Sequence, residues 1–187
     1  MRGLIVLALA ALAGCVSGGA AGGGGNEDPL PAFQLGQDPA LDADVAALTA
    51  GRNEALACVN AEERANESDV FLALKRGYVA NPAPTETFPE FVVNLVEPEQ
   101  AKTDEICDTT LGNASAELLA LIERLTAARN RGAECEGLVG SATDEDSLEL
   151  LKLGYFNQSV VTFPTLTDFA PLYVEDIERV ADEACAG

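Results

Sequence analysis

The chain has 187 residues, with 31 acidic against 11 basic side chains, no histidine and a formal charge of -20 at pH 7. Phosphate recognition needs a basic face, so nucleic acid is excluded as a partner, and anionic lipid headgroups would also repel this surface. Lack of histidine removes the commonest general base and the commonest metal ligand.

Met1-Arg2-Gly3 opens onto an unbroken run of apolar or small residues from Leu4 to Gly14, and the run ends at Cys15. One positive charge ahead of a short apolar core is the layout of a secretory signal, and the run is about half as long as a bilayer-crossing helix requires. Leu12-Ala13-Gly14-Cys15 resembles the lipobox of bacterial lipoproteins. The resemblance covers residues 1–15 alone. It implies a signal peptide over residues 1–14 and a diacylglycerol and palmitate anchor on Cys15, the first residue of the mature chain. It further implies a place in the cell envelope. Val16, where that class uses Asp to stay at the inner membrane, implies the outer membrane, facing the periplasm or the cell surface. The competing expectation is an ordinary signal peptide that happens to end near a cysteine.

From Val16 to Gly25 only Val, Ser, Gly and Ala occur. Such a stretch has little to bury, so residues 15–37 are expected to form a flexible tether.

Beyond the tether the chain repeats itself. A shift of 77 residues lays Leu48-Thr49-Ala50-Gly51-Arg52-Asn53 on Leu125-Thr126-Ala127-Ala128-Arg129-Asn130, Cys58 on Cys135, and Lys75-Arg76-Gly77-Tyr78 on Lys152-Leu153-Gly154-Tyr155. Twelve of the 34 positions from Val45 to Tyr78 are identical in this register. One inserted residue then brings Phe91 onto Phe169 and Cys107 onto Cys185. We expect a mostly α-helical fold of two tandem units, 38–112 and 113–187, which either share one domain or stand as two beads.

Within each unit the same elements are expected in order. Asp38-Pro39 can cap and open a helix carrying Leu41, Val45, Leu48, Arg52, Leu56 and Val59 on one stripe. Its counterpart begins near Ser115 and carries Leu118, Ile122, Leu125 and Arg129. A shorter second helix is opened by Asn66 with Asp69, or Thr143 with Asp146. Gly77 and Gly154 are expected to end it in a left-handed conformation, with Lys75 and Lys152 complementing its C-terminus. Short strands are allowed at Phe91 to Val96 and Val160 to Phe163. A last helix of medium length is expected from near Pro98, and in the second unit it carries Val174, Ile177 and Val180.

Five cysteines are odd for a secreted chain, and assigning Cys15 to lipid leaves an even set. Of three connectivities we favour Cys58 with Cys107 and Cys135 with Cys185, because a single ancestral unit could close only that bond. Disulfides imply an oxidising compartment. Zinc binding is disfavoured, since the cysteine spacings are near fifty residues and histidine is lacking.

No Gly-x-Ser-x-Gly elbow occurs, and no carboxylate pair stands out among the acids. The acidic runs Asp144-Glu145-Asp146 and Glu175-Asp176-Glu178 lack the EF-hand pattern and read as helix starts. The repeated arginines are expected to form structural ion pairs, Arg52 with Asp104 and Arg129 with Asp182. No catalytic residue, metal or cofactor is expected. The chain reads as a non-catalytic envelope module that contacts the membrane through its lipid and binds another envelope protein. Cation or other ligand binding, calcium for example, is the alternative, and an enzyme ranks behind both.

Overall fold

The computed structural model describes residues 31–80, 85–158 and 163–186. The signal segment, Cys15 and most of the tether lie outside the described residues. Six helices follow one another: α1 (Pro39–Cys58), α2 (Glu67–Ala80), α3 (Phe88–Asp108), α4 (Ala116–Cys135), α5 (Asp144–Phe156) and α6 (Leu166–Ala186). Each unit is therefore a long, a short and a second long helix. No strand occurs among the described residues.

The local signals explain where four of the helices begin. Asp38 accepts from the Ala40 and Leu41 amides, with Pro39 in the first turn of α1. Ser115 accepts from the Leu118 amide at the start of α4. Asn66 Oδ1 accepts from the Asp69 amide at 2.9 Å ahead of α2, and Thr143 with Asp146 forms a capping box on α5. Each satisfies amides that a helix N-terminus leaves without an internal partner.

The third helix of each unit starts earlier than expected. Thr87 and Glu90 form a capping box with Pro89 in the first turn, so Phe91 to Val96 is helical rather than extended. Pro98 lies inside α3 and Pro171 inside α6. A proline favours a first turn, which is why it looked like a start. In α3 the Thr-x-x-Glu signal that begins eleven residues upstream, at Thr87, outranks Pro98, at the cost of one main-chain bond. Of the other candidate strand only Phe163 is described, and it belongs to no strand.

The left-handed turns also sit elsewhere. Asn60 (φ 54°) and Gly137 (φ 71°), equivalent in the repeat, end α1 and α4. In each case the next residue bonds back across the last turn, Ala61 N to Leu56 O at 2.9 Å and Leu138 N to Ala133 O at 2.8 Å. This is the Schellman arrangement, which needs glycine or asparagine at the turning residue.

Gly77 and Gly154 instead lie within α2 and α5, where the third helix of the unit crosses closely. A methyl group at Gly154 would stand 2.9 Å from Tyr173 Cε2, whereas one at Gly77 would stand 3.8 Å from Phe91 Cζ. Equivalent substitutions should therefore have opposite signs. Gly154→Ala is expected to cost about 1–3 kcal/mol by overpacking, and Gly77→Ala to gain about 0.5–1 kcal/mol of helix propensity. Urea unfolding of the two variants measures both.

In each unit the two long helices pair along their length, α1 with α3 and α4 with α6, and the short helix packs against them. Disulfides join Cys58 to Cys107 and Cys135 to Cys185. Leu41, Val45, Phe71, Phe88 and Val92 form a small core at the outer end of the first unit. A larger core runs from Ala55, Leu56, Val59 and Ile106 of the first unit into Ile122, Leu125, Leu151, Tyr155 and Val174 of the second. The two units thus share one continuous core. Two separate beads would have left the apolar side chains of the first unit in water.

Candidate functional site

The junction between the units is held by side chains of the first unit that bond to the second, one of them a buried lysine. Lys102 of α3 is 4% exposed. Its ammonium donates to Phe156 O at 3.0 Å and Gln158 O at 2.5 Å. These carbonyls belong to the end of α5, so a lysine of the first unit caps a helix of the second. Glu105, one turn further along α3, does the converse at the start of α6. Its carboxylate accepts from the Leu166 amide at 3.0 and 3.1 Å. Arg52 stacks 4.4 Å above the Phe156 ring, and Asn60 donates to Glu149 at 2.9 Å.

Burial pushes the Lys102 ammonium below its ordinary pKa, and nearby Glu99 partly offsets this. Burial raises the Glu99 carboxyl, against the pull of Lys102 and Arg52. Burial, and then the Glu105 charge, raises the Tyr155 phenol. Because Glu99 holds its proton more tightly when folded, its contribution favours folding below the ordinary carboxyl range and is lost as pH rises through the folded value. Wild type is therefore expected to lose stability relative to Glu99→Gln as pH rises from about 4. Urea midpoints of both proteins across that range test it, and parallel profiles would contradict it.

The expected pairs Arg52–Asp104 and Arg129–Asp182 do not form among the described residues. Arg52 turns to the junction, while Asp104 sits on the exposed side of α3 and accepts from Gln100 at 2.9 Å. Arg129 donates to buried Ser147 Oγ at 3.1 Å, and Asp182 pairs with Arg131 at 2.7 Å. The disulfides do bring the paired helix ends together. They do not choose which faces meet.

The asparagine beside each arginine has a clear role. Asn53 Nδ2 donates to Ala65 O at 3.0 Å and Asn53 Oδ1 accepts from the Ala65 amide at 2.7 Å. Asn130 makes the same two bonds to Ala142, at 3.1 and 2.6 Å. Each is a bidentate clamp that mimics a main-chain pairing and closes the loop after the first helix of its unit. Tyr78 and Tyr155 are also matched, donating to Glu86 O and Pro164 O at 2.8 and 3.1 Å. They hold the link before the third helix rather than packing back over their own turn.

Lys75 and Lys152 also depart from expectation. Lys75 donates to Phe33 O and lies 4.7 Å from the Phe71 ring centroid. Lys152 is buried in the second unit.

The acidic runs are occupied with the fold itself. Asp146 caps α5 and Asp144 accepts from Thr126, while Glu178 pairs with Arg124 and Asp176 with Arg179. Among the described residues no group of three or more His, Cys, Asp or Glu side chains is placed to hold a metal ion. Two shallow concavities of about 490 and 650 Å³ lie open to solvent, one along α6 at Glu175 and Asp182, the other along α3 at Glu97 and Asp104. They occupy equivalent positions in the two units.

Lys102, Glu99 and Glu105 were not singled out by the sequence. Two of the three lysines, Lys75 and Lys152, repeat at equivalent positions, but Lys102 falls opposite Val180. Glu105 repeats as Glu183, so the repeat alone does not separate junction positions from the rest.

No protein-family model matches this chain, and neither a curated protein nor a solved structure of significant similarity is found.

Proposed function

We propose that the chain is a cell-envelope lipoprotein, anchored through Cys15, whose disulfide-bonded helical body is a non-catalytic protein-binding or assembly module. The partition of the cysteines carries this reading. Cys58, Cys107, Cys135 and Cys185 are spent on two bonds inside the units, and Cys15, in its lipobox-like setting, is the one left over. Disulfides favour an oxidising compartment. Two or more acyl chains anchor stably, each buried methylene contributing about 0.8 kcal/mol. The prominent polar residues support the non-catalytic part, since the repeated Asn53, Asn130 and Arg52 and the unrepeated Lys102 are all engaged in closing loops or joining the units.

Growth on an alkyne-labelled palmitate analogue tests the anchor. The membrane-bound chain is expected to take up label and lose it with Cys15→Ser. Equal labelling of that variant would overturn the assignment. Calorimetry with calcium separates the module from a cation-binding protein. The proposed module gives no saturable heat, whereas a cation binder gives a stoichiometric one.

A further inference from the structure

The two units meet through different surfaces. The first unit presents the ends of α1 and α3, and the second receives them on α5 and the start of α6. Part of the presenting surface is the turn after α1. Val59 is buried in the common core, Ala61 packs against it, and Asn60 reaches Glu149. The second unit has the same turn after α4, closed by the same Schellman bond and the same asparagine clamp. Val139 at the tip of this turn stands open to solvent.

That free turn does not carry the side chains of its counterpart. Val59, Leu56 and Ile106, which are buried at the junction, are replaced by Glu136, Ala133 and Ala184. This surface could not repeat the junction on another copy, and a charge of -20 opposes self-association as well. The tip itself has become more apolar instead. Leu138 is 41% exposed and Val139 is 97% exposed. Gly137 at φ 71° and Gly140 at φ 145° flank the pair. The Schellman bond, the clamp at Ala142 and the adjacent Cys135–Cys185 bridge hold its base. Ordering cost on binding is accordingly small. Carboxylates surround it in sequence, Glu134 and Glu136 before and Asp144 and Glu145 after.

We propose that the Leu138–Val139 knuckle is a docking contact for a protein partner that offers an apolar cleft bordered by lysine or arginine. This rests on the protein-binding reading above and names the surface and partner chemistry for it. The acidic border selects against an anionic bilayer and for a basic rim.

The test places a photo-crosslinking residue at position 139, 93 or 172 of the full, anchored chain in its own cells. Val93 and Leu172 are comparison sites, 49% and 56% exposed. A discrete protein adduct is expected at 139. It should fall at least tenfold with Leu138→Asp, survive Leu138→Ile, and fall similarly when washed cells are crosslinked at high ionic strength. Circular dichroism of the Asp variant should be unchanged, because Leu138 belongs to neither buried core. A lipid adduct at 139, or a protein adduct there indifferent to Leu138→Asp and to salt, would overturn the proposal. Protein adducts only at 93 or 172 would overturn it while leaving the protein-binding function intact. No protein adduct at any of the three sites would count against both.

Discussion

Replacing Cys58 and Cys107 together by alanine is expected to lower the free energy of unfolding by about 4 kcal/mol. The bond spans 49 residues of sequence, and chain-entropy arguments give that magnitude for a loop of this length. For a body of this size the melting temperature should drop by roughly 8 to 16 °C. Removing Cys135–Cys185, which spans 50 residues, should cost a similar amount by the same argument. The two bonds differ in surroundings. Cys58 and Cys107 are half-buried beside the common core, whereas Cys135 and Cys185 are exposed. A thiolate must reach a sulfur to open a disulfide. Limited treatment with dithiothreitol followed by alkylation should therefore label Cys135 and Cys185 first. Simultaneous labelling of all four would show that exposure does not govern their reduction.

Lys102→Met should destabilise the body by about 3 kcal/mol, since hydrogen bonds from a charged donor are worth about 1.5–3 kcal/mol each and a buried acceptor left without a donor adds its own cost. Methionine keeps the apolar stem but strands Phe156 O and Gln158 O at the end of α5. Lys75→Met, which removes one ammonium–carbonyl contact at the outer end of the first unit, should cost under about 1 kcal/mol. Denaturant unfolding of both variants checks the contrast. A single transition in the Lys102 variant is expected, because the shared core still couples the units. Equal costs for the two lysines would remove the junction from the account.

Those elements that depend on neighbours in sequence were legible in advance. Asp38-Pro39, Asn66 with Asp69, Ser115 and Thr143 with Asp146 open the helices that their spacing predicts. The disulfide pairing was legible too, because the duplication restricts which cysteines an ancestral unit could join. Features that depend on contacts across the fold were not. Pro98 looks like a helix start, yet it lies inside α3, which packs along α1. Gly77 and Gly154 look like helix ends, yet both lie inside helices, and the close crossing of the third helix explains Gly154. Arg52 and Asp104 lie on elements that a disulfide joins, but on different sides of the pair. The junction residues Lys102 and Glu105 bond to main-chain atoms 54 and 61 residues away. No local pattern encodes such partners.

The Leu138–Val139 turn belongs to the same class. Its helix-ending geometry follows from Gly137, but the exposure of Leu138 and Val139 depends on what packs around the turn in three dimensions.

The partition of five cysteines into one lipid site and two bonds within the units is the centre of this account. Non-reducing peptide mapping by mass spectrometry, on protein extracted from its own membrane, reads all five at once. The account predicts an N-terminal peptide beginning at an acylated Cys15, and linked peptides joining Cys58 to Cys107 and Cys135 to Cys185. An unmodified Cys15 thiol, or Cys15 linked to any of the other four, would contradict it.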